Sequence, residues 1–417
     1  MKELTIGIDI GGTNTKYGIV DRDGHVVFHS SISTAQYEEF RDYFNGLSAA
    51  LRKAIDSLKG DNKIMGIGVG AANGNYYKGT IERATNLKWK GILPLADMLK
   101  EEFDMPAIVT NDANAAAVGE MVYGAAKGMK DFIVITLGTG LGSGFVSNGQ
   151  LLNGKHGIAG ELGHTSVNPA GRYCNCGKRG CLETYVSATG IKRTVYKLLA
   201  DHLEPSELRG ISFDNLSTKM ITETAVRGDI VALAAFEYTG RILGMKLADT
   251  VVHTDPEAIF LFGGLSLAGD LIFKPTIKHM EANLMPLFRG KVKVLPSGLQ
   301  NQAAPILGAS SLVWNYLDNT QLKEAIRLAV SCWVHVVYPA GNQVDLRLAE
   351  GPFKRWHPPV LSECLDETRI KFCFIVKPQV WPVDAVVATL GSTVVFDDGQ
   401  YLSRPACACV AVWYSDL

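Results

Sequence analysis

Three cysteines and a histidine stand close together near the middle of the chain. The segment reads His164, a short spacer, and then Cys174-Asn-Cys176-Gly-Lys-Arg-Gly-Cys181. Zinc prefers tetrahedral nitrogen and thiolate ligands, and a closed set of three Cys and one His is typical of a structural site. The alternative is a set of ordinary buried thiols, but such clusters in intracellular chains more often bind metal. The spacing therefore predicts a zinc knuckle.

Two acidic residues, Glu161 and Glu183, bracket these four residues. A loop stapled by a metal would hold both acids, and His164 beside them, facing one point. Ionised carboxylates accept hydrogen bonds from several hydroxyl groups at once. The segment 161–183 therefore predicts a binding site for a polyhydroxylated ligand.

A glycine turn, Gly11-Gly12-Thr13, follows an apolar strand predicted over residues 4–10 and precedes a second strand. Backbone N–H groups of such a turn can approach phosphate oxygens, and Thr13 adds a hydroxyl group. Asp9 is suited to orienting a hydrated magnesium ion. A glycine pair after a strand is often only a turn, so this motif alone leaves both interpretations open.

The same pattern returns later in the chain. A strand predicted over 132–137 runs into Gly138-Thr139-Gly140, and another strand follows. Two strand–turn–strand units predict two similar lobes, each presenting a phosphate-facing hairpin to a shared cleft.

A third glycine turn, Gly263-Gly264, follows a strand predicted over 258–262 and precedes a helix. Close approach of the backbone there would accommodate an adenosine. The alternative is a plain connection between a strand and a helix.

Asn111 and Asp112 follow a short strand and stand at the head of an alanine-rich helix. Asp112 has two interpretations: an N-cap that satisfies free helix N–H groups, or a general base that accepts a hydroxyl proton. A loop-like stretch over 71–93 carries Asn86, which we assign to substrate binding because loops after strands often carry binding groups.

Apolar spacing predicts the elements around these motifs. Helices are expected over 36–58, over 303–316, and around an apolar stripe that includes Leu233 and Phe236; strands are expected over 64–70, 107–110 and 292–295.

Length and composition limit the class of protein. A chain of 417 residues suggests two or three domains. Its hydrophobic content of 47% and charged content of 20% fit a globular protein. The net charge of -1 gives no reason to expect nucleic acid or an anionic membrane as a partner. We see no secretion signal and no bilayer-spanning run, so we expect a cytoplasmic protein whose eight cysteines are mostly reduced or metal-bound.

Together the motifs resemble the ROK family of bacterial sugar kinases, most of all its glucokinases. The resemblance covers residues 1 to about 318 and is most specific from Ile135 to Glu183. It implies an α/β, two-lobed, actin-like (ribonuclease-H-like) sugar kinase fold with a zinc knuckle. We expect a small lobe over 1–115 joined by the helix 303–318, and a large lobe over 116–302.

The resemblance also implies an activity: ATP-dependent phosphorylation of a hexose, chiefly glucose to glucose 6-phosphate. The residue matching the catalytic base is Asp112. The sugar is expected to contact Asn111, Glu161, His164 and Glu183, and structural Zn²⁺ to be bound by His164, Cys174, Cys176 and Cys181. Mg²⁺ accompanies ATP, whose phosphates face the turns at 11–13 and 138–140 and whose nucleoside lies near Gly263 and Gly264.

Two alternatives stay open. One is a kinase for fructose, mannose or an N-acetylated amino sugar. The other is a non-catalytic sensor or repressor, which in this family carries a DNA-binding helix-turn-helix before the kinase-like part. We expect none here because the first strand begins within the first few residues. By family analogy we expect a homodimer or higher homo-oligomer.

Residues 319–417 lie outside the resemblance, and their fold is not predicted. Apolar patches over 386–395 and 407–413 suggest strands. Cys407 and Cys409, with Cys364 or Cys373, suggest a second metal site, although their spacing is poor for zinc.

Overall fold

A computed structural model of the protein describes residues 1–84, 86–201, 203–299 and 303–333, and five short strands beyond them. Side chains are described as far as Thr320. The chain divides into two compact units, Met1–Glu324 and Ala325–Leu417, and each is described by itself.

The first half of the first unit is built on a five-stranded sheet. Its elements are β1 (Lys2–Ile10), β2 (Asn14–Asp21), β3 (Val26–Ser33), α1 (Phe40–Asp56), β4 (Asn62–Ala71), β5 (Gly74–Asn75), β6 (Thr80–Glu82), β7 (Ile92–Leu93), α2 (Leu95–Phe103), β8 (Ala107–Thr110) and α3 (Asp112–Val122). The sheet order is β3-β2-β1-β4-β8. The first three strands form antiparallel pairs, whereas β4 and β8 run parallel to β1. We call this part the first lobe.

The second half is built on another five-stranded sheet. Its elements are β9 (Phe132–Leu137), β10 (Leu141–Ser147), β11 (Gln150–Leu151), α4 (Ala188–Asp201), α5 (Thr218–Val226), α6 (Ile230–Thr254), β12 (Ala258–Phe262), α7 (Asp270–Asn283), β13 (Lys293–Pro296) and α8 (Ala304–Trp333). The sheet order is β11-β10-β9-β12-β13. We call the part that ends with β13 the second lobe.

The two sheets have the same topology. In each, the first strand of the half lies at the centre, is flanked on one side by an antiparallel meander, and pairs on the other side with a parallel strand. The prediction of two similar strand–turn–strand lobes is therefore confirmed.

Helices α3 and α8 pack closely on the sheets because glycines face them. A Cβ atom at Gly7 of β1 would lie 2.1 Å from the carbonyl oxygen of Ile306, and one at Gly68 of β4 would lie 1.8 Å from that of Ala309. Helix α3 contacts both sheets, since Ala115 lies against β4 and Ala113 against β10. Only glycine permits such close backbone approach.

Several element predictions need correction. The stretch over 71–93 contains β5, β6 and β7 rather than a loop alone. Helix α8 continues to Trp333, well beyond the predicted end at residue 316. In α6, Phe236 is buried as expected, but Leu233 is 40% exposed.

The second unit contains short strands: β14 (Leu365–Asp366), β15 (Arg369–Ile370), β16 (Cys373–Ile375), β17 (Val387–Ser392) and β18 (Ala406–Ala411). β17 and β18 pair antiparallel, in agreement with the strands suggested for this region. The suggested second metal site depends on Cys364, which lies outside the described residues, and on side chains that are not described either.

Candidate active site

The first glycine turn joins β1 to β2. The N–H group of Gly11 donates to the carbonyl oxygen of Asn14 at 3.1 Å, which closes the turn. A Cβ atom at Gly12 would lie 2.5 Å from the carbonyl oxygen of Asn86, so the segment carrying Asn86 rests directly on this turn. Thr13 is exposed at its tip.

The second and third turns lie side by side. Gly138 and Thr139 are exposed after β9. The N–H group of Leu265 donates to the carbonyl oxygen of Leu137 at 3.2 Å, and a Cβ atom at Gly263 would lie 2.8 Å from the same oxygen. Gly263 has a φ of 101°, a conformation that favours glycine. A methyl group at Gly138 or Gly264 would meet no described atom within 4 Å, which leaves these turns open on one side.

Asn111 and Asp112 have different roles at the N-terminus of α3. Asn111 is the N-cap, because its Oδ1 atom accepts from the N–H group of Asn114 at 2.6 Å. The N-cap interpretation of Asp112 is therefore wrong. Asp112 is the first helical residue, and its carboxyl group accepts from the adjacent N–H group of Ala113, at 2.9 Å, and from its own N–H group. Its exposed carboxyl group is left for other chemistry.

Three carboxyl groups interact electrostatically at this site. Burial raises the pKa of Asp9 to about 6, and the negative charge of Asp112 adds to this effect while Lys16 opposes it. Burial also raises the pKa of Asp112, although its side chain keeps a hydrated surface that screens part of the effect. The pKa of Glu161 is raised by burial and by the charges of Asp112 and Glu183, and lowered by His164.

The four predicted metal ligands converge. One nitrogen of His164 and the sulfur atoms of Cys174, Cys176 and Cys181 all lie within 4.8 Å of one another. The Cys176 and Cys181 sulfurs are 3.6 Å apart, and Cys174 Sγ is 3.6 Å from His164 Nδ1. Zinc bond lengths of roughly 2.0–2.3 Å in a tetrahedron give ligand separations of about 3.3–3.8 Å, so the set fits one ion.

Two acids flank His164 on its two ring nitrogens. Glu161 Oε2 lies 3.9 Å from Nε2, and Glu183 Oε1 lies 3.7 Å from Nδ1. Glu183 also reaches the second glycine turn, because its Oε2 lies 3.5 Å from the N–H nitrogen of Leu141. A Cβ atom at Gly140 would lie 2.6 Å from this oxygen. The predicted sugar acids thus adjoin both the cysteine cluster and a predicted phosphate turn.

Arg172 holds the turn around Glu183 through contacts that the sequence does not predict. Its guanidinium group donates to the carbonyl oxygens of Thr184 and Gly190, at 2.7 and 3.0 Å, and to the hydroxyl group of Thr194 at 2.9 Å. It also lies 4.5 Å from the ring centroid of Tyr185. These contacts fasten the turn that carries Glu183. A single arginine in a loop has no periodicity, so no sequence signal marks it.

Asn75 was also missed, although the predicted loop over 71–93 includes it. Its buried side chain donates from Nδ2 to the carbonyl oxygen of His156 at 2.9 Å. The Oδ1 atom accepts from the N–H groups of Tyr77 and Lys78. The first lobe is thereby fastened to the segment that precedes Glu161.

No helix within the described ranges is long and apolar enough to cross a lipid bilayer.

Comparison with known proteins matches residues 5–315 to the ROK family. A glucokinase from Halalkalibacterium halodurans is 38% identical over 309 residues, which cover 73% of this chain and 93% of that protein. A crystal structure of a ROK family glucokinase from Streptomyces griseus, in complex with glucose and AMPPNP, has a TM-score of 0.63 at 34% identity and covers 74% of this chain and 98% of that one. A xylose repressor from Caldicellulosiruptor bescii is 29% identical, covering 74% of this chain and 77% of its own length. The repeated α/β lobes, the glycine turns and the cysteine cluster thus occur in a chain that belongs to the ROK family.

Proposed function

We propose that this chain transfers the γ-phosphoryl group of ATP to a hexose, and that glucose is its main substrate. The observation that carries the proposal is the carboxyl group of Asp112. It belongs to the first residue of a helix that is capped by a different residue, Asn111. Its negative charge raises the pKa of both Asp9 and Glu161. A carboxylate so placed is not the helix cap, and it interacts electrostatically both with Asp9 beside a proposed phosphate turn and with Glu161, one of the acids proposed to hold a sugar.

In the proposed reaction, Asp112 accepts the proton of the sugar's 6-hydroxyl group as that oxygen attacks the γ-phosphorus in line. The P–O bond to ADP breaks, and ADP leaves with the bonding electrons. A base works best when its pKa approaches the working pH, and burial raises the pKa of Asp112 in that direction. Phosphoryl transfer otherwise depends mainly on positioning and charge stabilisation.

The sugar hydroxyl groups would be bound by Glu161, His164, Glu183 and Asn111, with Asn86 nearby. Capping of α3 uses only the Oδ1 atom of Asn111, so its amide nitrogen is left to donate. The names of the glucokinase relatives, and the glucose in the similar crystal structure, support glucose over other hexoses. Fructose, mannose and N-acetylated amino sugars are the alternatives that a substrate panel would test.

The nucleotide phosphates would face the N–H groups of the turns at 11–13 and 138–140, with the nucleoside near Gly263 and Gly264. Asp9 would hold hydrated Mg²⁺, which supplies neutralisation of phosphate charge. With a pKa of about 6, Asp9 is ionised at neutral pH as this role requires. AMPPNP in the similar glucokinase structure supports ATP as the donor.

His164, Cys174, Cys176 and Cys181 would hold a structural Zn²⁺ ion, which supplies rigidity to the loop 161–183. Their donor types and mutual distances support this assignment. We also propose lobes over 1–115 (with helix 303–318) and 116–302 and, by analogy with the family, a homodimer or higher homo-oligomer.

The test is a coupled assay of the full chain that measures ADP formation with ATP and each of several hexoses. We expect sugar-dependent ADP formation that is fastest with glucose, and a phosphorylated sugar as product. The similarity to a xylose repressor favours one competing function, a sugar-responsive sensor. Sugar binding without ADP formation from any hexose would overturn the kinase proposal and support the sensor.

A further inference from the structure

Glu120 is a buried carboxylate near the end of α3, with 1% of its surface exposed. Its Oε2 atom accepts from the N–H groups of Ala125, at 2.8 Å, and Gly298, at 3.3 Å. Its Oε1 atom accepts from the N–H group of Leu299, at 3.3 Å, and from the hydroxyl group of Ser297. Within the described part of the chain, no salt bridge involves Glu120, so neutral donors alone stabilise it.

These donors come from both segments that connect the lobes. The chain leaves the first lobe after α3 through residues 123–131, which include Ala125, and leads into β9. It returns after β13 through a segment that begins with Ser297, Gly298 and Leu299 and leads into α8, which packs on the first sheet. One side chain therefore joins the outgoing and the returning segments.

The two connecting segments also touch each other at this point. A Cβ atom at Gly298 would lie 2.5 Å from the N atom of Ala125, and one at Gly124 would lie 2.2 Å from Glu120 Oε2. Both positions therefore need glycine for this close approach. The Glu120 carboxylate therefore lies where the two connecting segments contact each other.

A carboxylate satisfies all of these donors at once. An ionised Glu has two acceptor oxygens and no donor, whereas Gln replaces one oxygen by an NH₂ group. In Glu120→Gln, the NH₂ group would face backbone N–H donors in either orientation: those of Ala125 and Gly298 at the Oε2 position, or that of Leu299, which also donates to Ser297 Oγ at 3.0 Å, at the Oε1 position.

We propose that Glu120 is a positioning residue: its carboxylate is the pivot about which the two lobes close. Asp112 lies at the opposite end of the same helix, so a loose pivot would let α3 tilt and would displace the Asp112 carboxyl group from the sugar. Incomplete closure would also admit water, which competes with the sugar for the phosphoryl group. The catalytic part of this inference rests on the proposed kinase function; the pivot itself rests on the hydrogen bonds.

The test compares Glu120→Gln with Glu257→Gln. Glu257 is a suitable control because its carboxylate also accepts from two backbone N–H groups, those of Lys130 and Asp131, but it is exposed and joins only the last residues of the outgoing segment to the start of β12, within the second lobe. We expect Glu120→Gln to lower kcat with glucose at least about tenfold, the usual effect of losing a hydrogen bond to a charged group. The ratio of ATP hydrolysed to sugar phosphorylated should rise, and the Kd for glucose should change less than kcat. The control should change none of these more than about twofold, as is usual at surface positions.

A second readout does not depend on activity. Amide hydrogen exchange at residues 123–131 and 297–299 should become faster in Glu120→Gln, while exchange in β8 and β12 stays unchanged. If Glu120→Gln does not fold, Ser297→Ala removes one donor and should shift the same measurements in the same direction, but less. Unchanged exchange at both segments, or equal acceleration throughout both lobes, would overturn the pivot. A wild-type protein that phosphorylates no hexose would overturn the proposed function and leave the exchange test of the pivot valid.

Discussion

The Oε1 atom of Glu183 lies 3.0 Å from the sulfur atom of Cys174. Burial and this contact raise the pKa of the Cys174 thiol, which donates a hydrogen bond to the carboxylate. A thiolate bound to a metal has no proton to donate, so Oε1 would then be free to accept from a sugar hydroxyl. Whether Cys174 is a thiol or a metal-bound thiolate therefore determines whether Oε1 of Glu183 can accept a hydrogen bond from a substrate.

Removal of the proposed Zn²⁺ ion is predicted to weaken sugar binding. In Cys176→Ser, or after chelation, we expect the Kd for glucose to rise about tenfold, because one charge-assisted hydrogen bond to Glu183 is lost. Calorimetry with metal analysis of the same sample would measure this. Asn175→Ser is the matched control, since Asn175 lies between two of the ligands and its exposed side chain is not one of them. Unchanged glucose affinity in a verified metal-free sample would contradict the prediction.

Alanine at two glycines of the second turn should have different effects. In Gly140→Ala the new methyl group would lie 2.6 Å from Glu183 Oε2, so the acid must move and KM should rise for both glucose and ATP. In Gly138→Ala the new methyl group would meet no described atom within 4 Å, so Glu183 need not move. The methyl group would occupy the open side of a turn proposed to face the ATP phosphates, so only KM for ATP should rise. Steady-state kinetics with each substrate varied would separate the two. The prediction is wrong if both variants alter the glucose KM equally.

Substitution of the proposed base should remove catalysis and keep the fold. Because Asn111 caps α3, Asp112→Asn should keep the fold and a glucose affinity close to that of the wild type. Turnover should fall by at least ~100-fold, the lower range for losing a general base. Asp270→Asn is the control, since Asp270 also begins a helix but is exposed and paired with Lys274. Near-normal turnover in Asp112→Asn would refute the assignment.

The raised pKa of Asp9 predicts a pH-dependent stability. The folded protein binds this proton more tightly than the unfolded chain, whose carboxyl keeps its ordinary value of 3.8. This contribution to the free energy of unfolding is complete below that value and is lost as the pH rises through about 6. Without nucleotide, Asp9→Asn should therefore gain Tm relative to the wild type as pH rises through this range.

The same titration tests the proximity of Asp112 to Asp9. Because the charge of Asp112 helps to raise the pKa of Asp9, Asp112→Asn should move the window of pH-dependent stability to lower pH. Thermal unfolding from pH 4 to pH 8 in all three proteins would measure both effects. A Tm difference between Asp9→Asn and the wild type that does not vary with pH would exclude the raised pKa.

Much of the fold can be predicted from local sequence patterns. Apolar strands that end in glycine turns marked both hairpins, and the repetition of that pattern anticipated two sheets with the same strand order. The cysteine spacing placed His164 among three thiols because a chelating loop is a local feature. Patterns of this kind involve residues that are close in the sequence, so they predict local structure without knowledge of distant contacts.

Polar residues with distant partners were not predictable in this way. Glu120 has the sequence context of an ordinary helix residue, yet its partner Ser297 comes from the other end of the second lobe. Asn75 and Arg172 likewise act through backbone groups, which carry no side-chain signature. Asn111 rather than Asp112 caps α3. A sequence pattern locates a helix boundary only to within a residue or so, and the hydrogen bond from the N–H group of Asn114 identifies the cap.

The two halves differ in the connection between their third strand and the next helix. In the first half α1 begins shortly after β3, whereas in the second half residues 152–187 intervene between β11 and α4. This stretch contains all four cysteine-cluster residues together with Glu161 and Glu183, while Asp9, Asp112 and the glycine turns belong to the duplicated framework. Under the proposed function, the groups proposed to bind the sugar, apart from Asn111 and Asn86, are thus encoded separately from the groups proposed for phosphoryl transfer. If the proposed roles hold, variation confined to residues 152–187 would change the carbohydrate that is bound and leave the proposed base and phosphate turns unchanged.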